Sequence, residues 1–235
     1  ESLKLIILGG KGGVGKTTTS CSLALAYAKE HPDKKVLLVS TDPAHSISDS
    51  LDQKFGSDPT PISGFSNLEA REIDAKTLFD SFDKKNQKTI TTILDRGTYL
   101  DLDDINEFVG LSLPGIDELM ALLEIARIVE EDKYDLVVLD TAPAGHTLRL
   151  LELPNLLKSV IELLDLMQDK HRTMVKSLTR KYKQDKPDEF ISNLANELSV
   201  LMKVLKDVTL CSFAPVVLPE ALSVDETKWL EKELI

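Results

Sequence analysis

Four short apolar runs stand out along the chain: "LKLIIL" at residues 3 to 8, "KVLLVS" at 35 to 40, "DLVVLD" at 135 to 140 and "CSFAPVVLP" at 211 to 219. The first ends in glycines, and the second and third close on or near an aspartate. Runs without polar alternation suit strands of a parallel sheet, whose two faces are both covered by helices. Between them lie segments with apolar residues at helical spacing, beginning with "TTSCSLALAYAKEH" at 18 to 31. This alternation predicts a doubly wound, mostly parallel α/β fold. Ligands of such folds gather outside the carboxyl ends of the strands.

Two segments are too long for simple crossovers. Residues 74 to 133 separate the second and third runs, and residues 150 to 207 separate the third and fourth. "GIDELMALLEIARIVEEDK", which follows Pro114, places its apolar residues on one helical face, as do "LPNLLKSVIELLDLMQDKHRTMVKSL" and "FISNLANELSVLMKVLKDV". Together they predict an inserted α-helical subdomain carried on the sheet. The polar stretch "TRKYKQDKPDEF" at 179 to 190 predicts a mobile linker. No internal repeat is present, so a single ligand site is expected. The closing "SVDETKWLEKELI" reads as a helix after a strand, where a sheet of this kind would continue. Residues 1 to 235 therefore read as a single domain cut short at its C-terminal end.

Charge and cysteine content narrow the function. A net charge of -11 argues against nucleic acid as a partner, since that needs clustered Lys and Arg. Cys21 and Cys211 lie far apart with no C-x-x-C spacing, which favours a reducing, cytoplasmic setting; an organelle stroma stays open because the chain starts at Glu1. The 4 histidines include no pair at the i, i+4 spacing of a zinc helix, so zinc is not supported. No run approaches the roughly 18 apolar residues of a membrane span.

The chemistry concentrates where the apolar runs end. "GGKGGVGKTT" contains G-x-x-x-x-G-K-[ST] between a predicted strand and a predicted helix, the context of a phosphate loop. Gly10, Gly12, Gly13 and Gly15 let backbone N–H groups of the loop, with those of Lys11, Val14 and Thr18, converge on phosphate oxygens. Lys16 supplies a cation to them, and Thr17 offers a hydroxyl to Mg²⁺. Asp140, closing the third run in "LVVLDTAPAGHTLRLLELP", can hold a Mg²⁺-bound water. Pro143 and Gly145 allow the next segment to change path with the γ-phosphate, and His146 follows them. Asp42, in "STDPAHSISDSLDQKFG", can orient or deprotonate an attacking water, with His45, Ser46 and Asp49 as candidate supports. Lys11 is one cation more than the loop needs. It reads either as a solvated lysine or as a charge reaching a second subunit's phosphates, as an arginine finger does.

Taken in order, "GGKGGVGKTT", "STDPAHSISDSLDQKFG", "LPGIDE" and "DTAPAGHTLRLLELP" resemble the arsenite-pump and tail-anchored-protein-targeting ATPase family. The resemblance is dense over residues 4 to 74 and 112 to 156 and thin in the helical stretches. It implies a homodimeric ATPase using ATP/ADP and Mg²⁺. Lys11 would be the intermonomer lysine and a catalytic residue beside Lys16, and Asp42 would position the hydrolytic water. Thr17 and Asp140 would belong to the Mg²⁺ shell, and Pro143 to the nucleotide site. The helical subdomain would form, with its twin, a groove for the C-terminal transmembrane helix of client proteins, delivered to a membrane receptor. Two departures stand beside this: the zinc-binding C-x-x-C of eukaryotic targeting members is absent, and the base-recognition asparagine would fall after Ile235. The family's other branch, driving an arsenite or anion efflux pump, is the alternative; it uses a cysteine site that Cys21 and Cys211 do not match. A partitioning ATPase and a static nucleotide-binding module share the loop. The acidic charge counts against the first and the paired aspartates against the second.

Overall fold

The computed structural model describes residues 3–42, 46–97, 115–141, 147–220 and 224, leaving out the side chains of 46 and 147–152. Its elements are, in chain order, β1 (Leu5–Gly9), α1 (Lys16–Glu30), β2 (Val36–Ser40), α2 (Ser46–Leu51), β3 (Thr60–Pro61), β4 (Leu68–Glu72), α3 (Ala75–Gly97), α4 (Ile116–Glu130), β5 (Leu136–Asp140), α5 (Thr147–Thr179), α6 (Lys186–Lys206) and β6 (Cys211–Pro215). One six-stranded sheet runs in the order β3-β4-β2-β5-β1-β6, with every neighbouring pair parallel except β3 on β4. This is an α/β fold of the phosphate-loop NTPase type.

The four apolar runs become β2, β5, β1 and β6. β2 and β5 lie inside the sheet and are buried at every position, which is why their sequences carry no alternation. The sheet also contains two strands outside those runs. In β4, Leu68, Ala70 and Glu72 are buried while Glu69 and Arg71 are half-buried, so charged residues interrupt the apolar signal. The long helical segment begins after β4, with α3 from Ala75.

The alternating faces of the strands feed two cores. Leu8, Leu38, Ala70 and Val138 meet Cys21, Ala24 and Ala28 of α1 and Ile47 of α2 on one face. Leu5, Leu37, Val39, Val137 and Leu139 meet α4 and α6 on the other, and α3 and α5 pack outward onto those helices. Burial of the Leu, Ile and Val side chains among them contributes on the order of 1.5–3 kcal/mol each.

The stretch expected as a linker is tied down. α6 begins inside it, with Asp185 as N-cap in a reciprocal capping box with Asp188 and Pro187 in the first turn. Gln168 of α5 is fully buried and donates to Asp185 and Asp188. Arg172 of α5 donates to Asp188 at 2.7 Å, Arg96 of α3 donates to Asp185 at 2.6 Å, and the Tyr182 hydroxyl donates to Asp188. A polar composition predicts mobility only when the polar groups find water; here Tyr182, Asp185 and Asp188 find partners on α3 and α5 or in one another.

Candidate functional site

β1 delivers the chain into the loop directly beside β5, with Leu8 opposite Asp140 in register. Gly10 has φ +145, and a Cβ there would lie 2.4 Å from the Val216 carbonyl oxygen. That carbonyl is held close because the Val216 N–H donates to Gly9 O at 2.8 Å. Only glycine lets β6 pass so near the start of the loop. Gly15, at φ +92, is the N-cap of α1, so the loop ends on a helix N-terminus whose first N–H groups lack helical partners.

Lys16 is almost fully buried in the first turn of α1. Its ammonium donates to Gly10 O at 3.0 Å and to Lys11 O at 3.2 Å, folding back across the loop. Burial lowers its pKa, and the charges of Asp140 and Asp42 oppose that shift. Lys11 itself is exposed on the loop's flank, as are Gly12, Gly13 and Thr18, whereas Val14 is buried beneath it.

Thr17 donates its hydroxyl to Asp140 Oδ2 at 2.8 Å. Asp140 is fully buried, and its Oδ1 has no hydrogen-bond partner among the described residues. Burial raises its carboxyl pKa, against the Thr17 hydrogen bond and the Lys16 charge; the charge of Asp42 adds to the rise. A carboxylate with one satisfied and one orphaned oxygen, beside a hydroxyl, is a donor set suited to a hard cation or its water. Among the described residues no group of three or more His, Cys, Asp or Glu could hold a metal. An ion here would therefore take its remaining ligands from water or from nucleotide.

Asp42 lies half-exposed two residues beyond β2. Its N–H donates to Ser40 Oγ at 3.0 Å, and the N–H of Thr41 donates to Asp140 O at 3.1 Å. The geometry thus gathers Lys16, Thr17, Asp42 and Asp140 at the carboxyl ends of β1, β2 and β5. Asp49 is exposed on α2. Pro143, His45, Gly145 and His146, and the expected closing helix apart from Val224, lie outside the described residues, as does the side chain of Ser46.

Sequence reasoning missed Glu72. It closes β4 opposite Ser40, is almost fully buried, and accepts the Ser48 N–H at 3.0 Å. The available signal was an acidic residue closing a short alternating segment. The two cysteines sit in different cores, Cys21 on the α1 face and Cys211 on the opposite one, and burial pushes both thiols up to about 11.

Comparison with known proteins agrees with this geometry. A family model described as "Anion-transporting ATPase" matches residues 3–235. The chain is 39% identical to an ATPase ASNA1 homolog of Entamoeba histolytica, over 100% of the chain and 73% of that protein. It is 37% identical to ATPase GET3 of Komagataella phaffii, over 100% of the chain and 70% of that protein. To ATPase ARSA2 of Chlamydomonas reinhardtii it is 38% identical, over 100% of the chain and 64% of that protein. A glycine loop that ends on a helix N-terminus, a buried lysine folded over it, and a match spanning nearly the whole sequence lead to one assignment: the chain belongs to the anion-transporting ATPase family.

Proposed function

We propose that this ATPase works as a Mg²⁺-dependent homodimer, coupling ATP binding and hydrolysis to capture and release of the C-terminal transmembrane helix of tail-anchored membrane proteins. The observation that carries the nucleotide chemistry is the Thr17–Asp140 contact at 2.8 Å beside the buried Lys16. Lys16 exchanges its bonds to Gly10 O and Lys11 O for phosphate oxygens when nucleotide arrives. Thr17 and Asp140 are the residues that would hold Mg²⁺, Asp140 through water. When bound, the ion neutralises charge on the β- and γ-phosphate oxygens. Asp42 orients the attacking water. Gly10, Lys11, Gly12, Gly13, Val14, Gly15 and Thr18 complete the cradle, together with Pro143.

The client reading draws on the relatives named ATPase GET3 and ATPase ASNA1 homolog, and on α5. Leu156, Leu163, Leu166, Met174 and Leu178 are exposed there, and their spacing puts them on one side of the helix. Beneath it, α3, α4, α5 and α6 leave an apolar cavity of about 210 Å³ lined by residues such as Phe79, Phe82, Met120 and Leu157. An incompletely filled helical layer can repack as nucleotide state changes, unlike a close-packed one. The helical subdomain is thus assigned to residues 74 to 133 and 150 to 207. Among the described residues no helix is long and apolar enough to cross a membrane. A membrane receptor would accept the client helix.

Lys11, exposed while Lys16 is buried, is assigned to the partner subunit's phosphates. ATP turnover of Lys11→Ala and Asp42→Asn, with co-expression of a single-span tail-anchored protein, tests the scheme. Turnover should fall by about two orders of magnitude or more in each variant. Wild-type turnover, or no soluble client complex, would overturn the corresponding role. The efflux-pump reading draws weak support from the family description and the relative named ATPase ARSA2, and the two cysteine thiols, held protonated in separate cores, add none.

A further inference from the structure

Asp42 and the helix α2 are both tied to one strand, β4. On the N-terminal side of Asp42, Ser40 is opposite Glu72 in register, the Ile73 N–H donates to Ser40 O at 2.8 Å, and Ser40 Oγ receives the Asp42 N–H at 3.0 Å. On its C-terminal side the chain enters α2, and Glu72 Oε1 receives the Ser48 N–H there at 3.0 Å. Ser48 in turn anchors the chain leaving α2, because its Oγ accepts the Phe55 N–H at 3.1 Å and its carbonyl accepts the Gln53 N–H. Ile47 of α2 is fully buried, so the short helix cannot move without disturbing the α1-side core.

A carboxylate is an expensive choice for this place. Glu72 is only 5% exposed, and burying an acidic group is unfavourable unless hydrogen bonds compensate. An apolar residue at the end of β4 would pack α2 without that penalty. What the carboxylate adds is a directional acceptor fixing α2 at a set distance from the strand pair that carries Ser40. β4 separates its tasks by the two-residue period of a strand. Arg71 reaches Glu124 of α4 at 3.1 Å, towards the helical layer, while Glu72 addresses α2.

We infer that Glu72 is a positioning residue for hydrolysis: by fixing α2 at Ser48, it sets where Asp42 stands relative to the attacking water. This rests on the reading of Asp42 as the residue that orients that water. Glu72 acts through the Ser48 N–H of α2, so its removal is expected to lower kcat and leave nucleotide affinity nearly intact. A misplacement of about 1 Å in such a group costs on the order of a hundredfold in rate.

The test uses the full-length protein with Mg²⁺-ATP, comparing Glu72→Ala, Glu72→Asp and Glu72→Gln, each alone and with Asp42→Asn. Aspartate withdraws the acceptor by roughly one carbon–carbon bond, about 1.5 Å, whereas glutamine keeps the acceptor and discards the charge. Glu72→Ala and Glu72→Asp are expected to lose about ten- to a hundredfold in kcat, with KM for ATP within about twofold of wild type. Glu72→Gln is expected to restore most of that rate and, being isosteric, covers the case in which the alanine variant folds poorly. In the Asp42→Asn background the alanine change should add little, because both act through one group. Three results overturn the inference: wild-type kcat in the aspartate variant, a loss in KM rather than kcat, or losses that multiply with that of Asp42→Asn. If Asp42→Asn alone keeps wild-type turnover, the Asp42 assignment falls first and this one with it. Normal loss at Asp42 with no loss at Glu72 refutes only the positioning role.

Discussion

Replacing Gly10 by alanine separates two reasons for a glycine in a phosphate loop. From the motif alone, Gly10 serves the phosphates. In the fold it also serves β6, because an added Cβ would stand 2.4 Å from Val216 O on a backbone with φ +145. The backbone strain contributes about 1–3 kcal/mol. The overlap, which only backbone movement can relieve, contributes about 1–3 kcal/mol more. Gly13 is the internal control: its φ is +80, yet a Cβ there meets nothing within 4 Å, so Gly13→Ala carries only strain, about 1–2 kcal/mol. Urea unfolding followed by far-UV circular dichroism reads the difference. With a slope of about 2–3 kcal/mol/M, Gly10→Ala should lower the midpoint by about 1 M or more, and Gly13→Ala by about half that. Hydrogen exchange supplies a local reading, since the bond from Val216 N–H to Gly9 O should lose protection in Gly10→Ala alone. Equal midpoints in the two variants, with Val216 still protected, would refute the close-approach argument.

Three further outcomes are expected. Burial raises the pKa of Asp140, so its folded form favours the proton; the associated stability is present at low pH and lost as pH rises through the folded pKa. Mg²⁺ needs the ionised carboxylate, so Mg²⁺ affinity measured by calorimetry with ADP should rise over that same interval, and a flat profile would remove Asp140 from the shell. At Asp188 burial opposes ionisation, but hydrogen bonds from Tyr182, the Asp185 N–H, Arg172 and Gln168 together hold the carboxyl well below the usual range. Its contribution is present above the unfolded pKa and fades as pH falls towards the folded one. Asp188→Ala removes the acceptor shared by Tyr182, Gln168 and Arg172, although Arg172 keeps its ion pairs with Asp165 and Asp169, and should cost about 2 kcal/mol at pH 7 in a thermal or urea melt; a loss under about 1 kcal/mol would mean the network is not cooperative. Leu166→Ser and Leu178→Ser alter exposed positions and should shift stability by less than about 0.5 kcal/mol. They should nevertheless reduce recovery of a tail-anchored client, and undiminished recovery would exclude this side of α5 from the groove.

The sequence by itself determined the parallel centre of the sheet and the phosphate loop. Buried strands β2 and β5 need apolar residues at every position, and a loop that approaches phosphate needs glycines at fixed spacing; both constraints are local and leave a direct trace. It also placed Asp42 and Asp140 at strand ends, because an acid closing an apolar run is visible one residue at a time. Only the tertiary structure decided the rest. β4 escaped notice because Glu69 and Arg71 find partners in Tyr134 and Glu124, which lie 65 and 53 residues away in the chain. Residues 179 to 190 were polar enough to suggest a linker, yet Arg96, Gln168 and Arg172 arrive from other helices to satisfy Asp185 and Asp188. The same holds for Gly10, whose motif role was legible while its contact with Val216 was not. Spacing along the chain records what one segment demands of its own backbone. Which distant groups compensate a buried charge, or crowd a glycine, is set by strand order and helix packing.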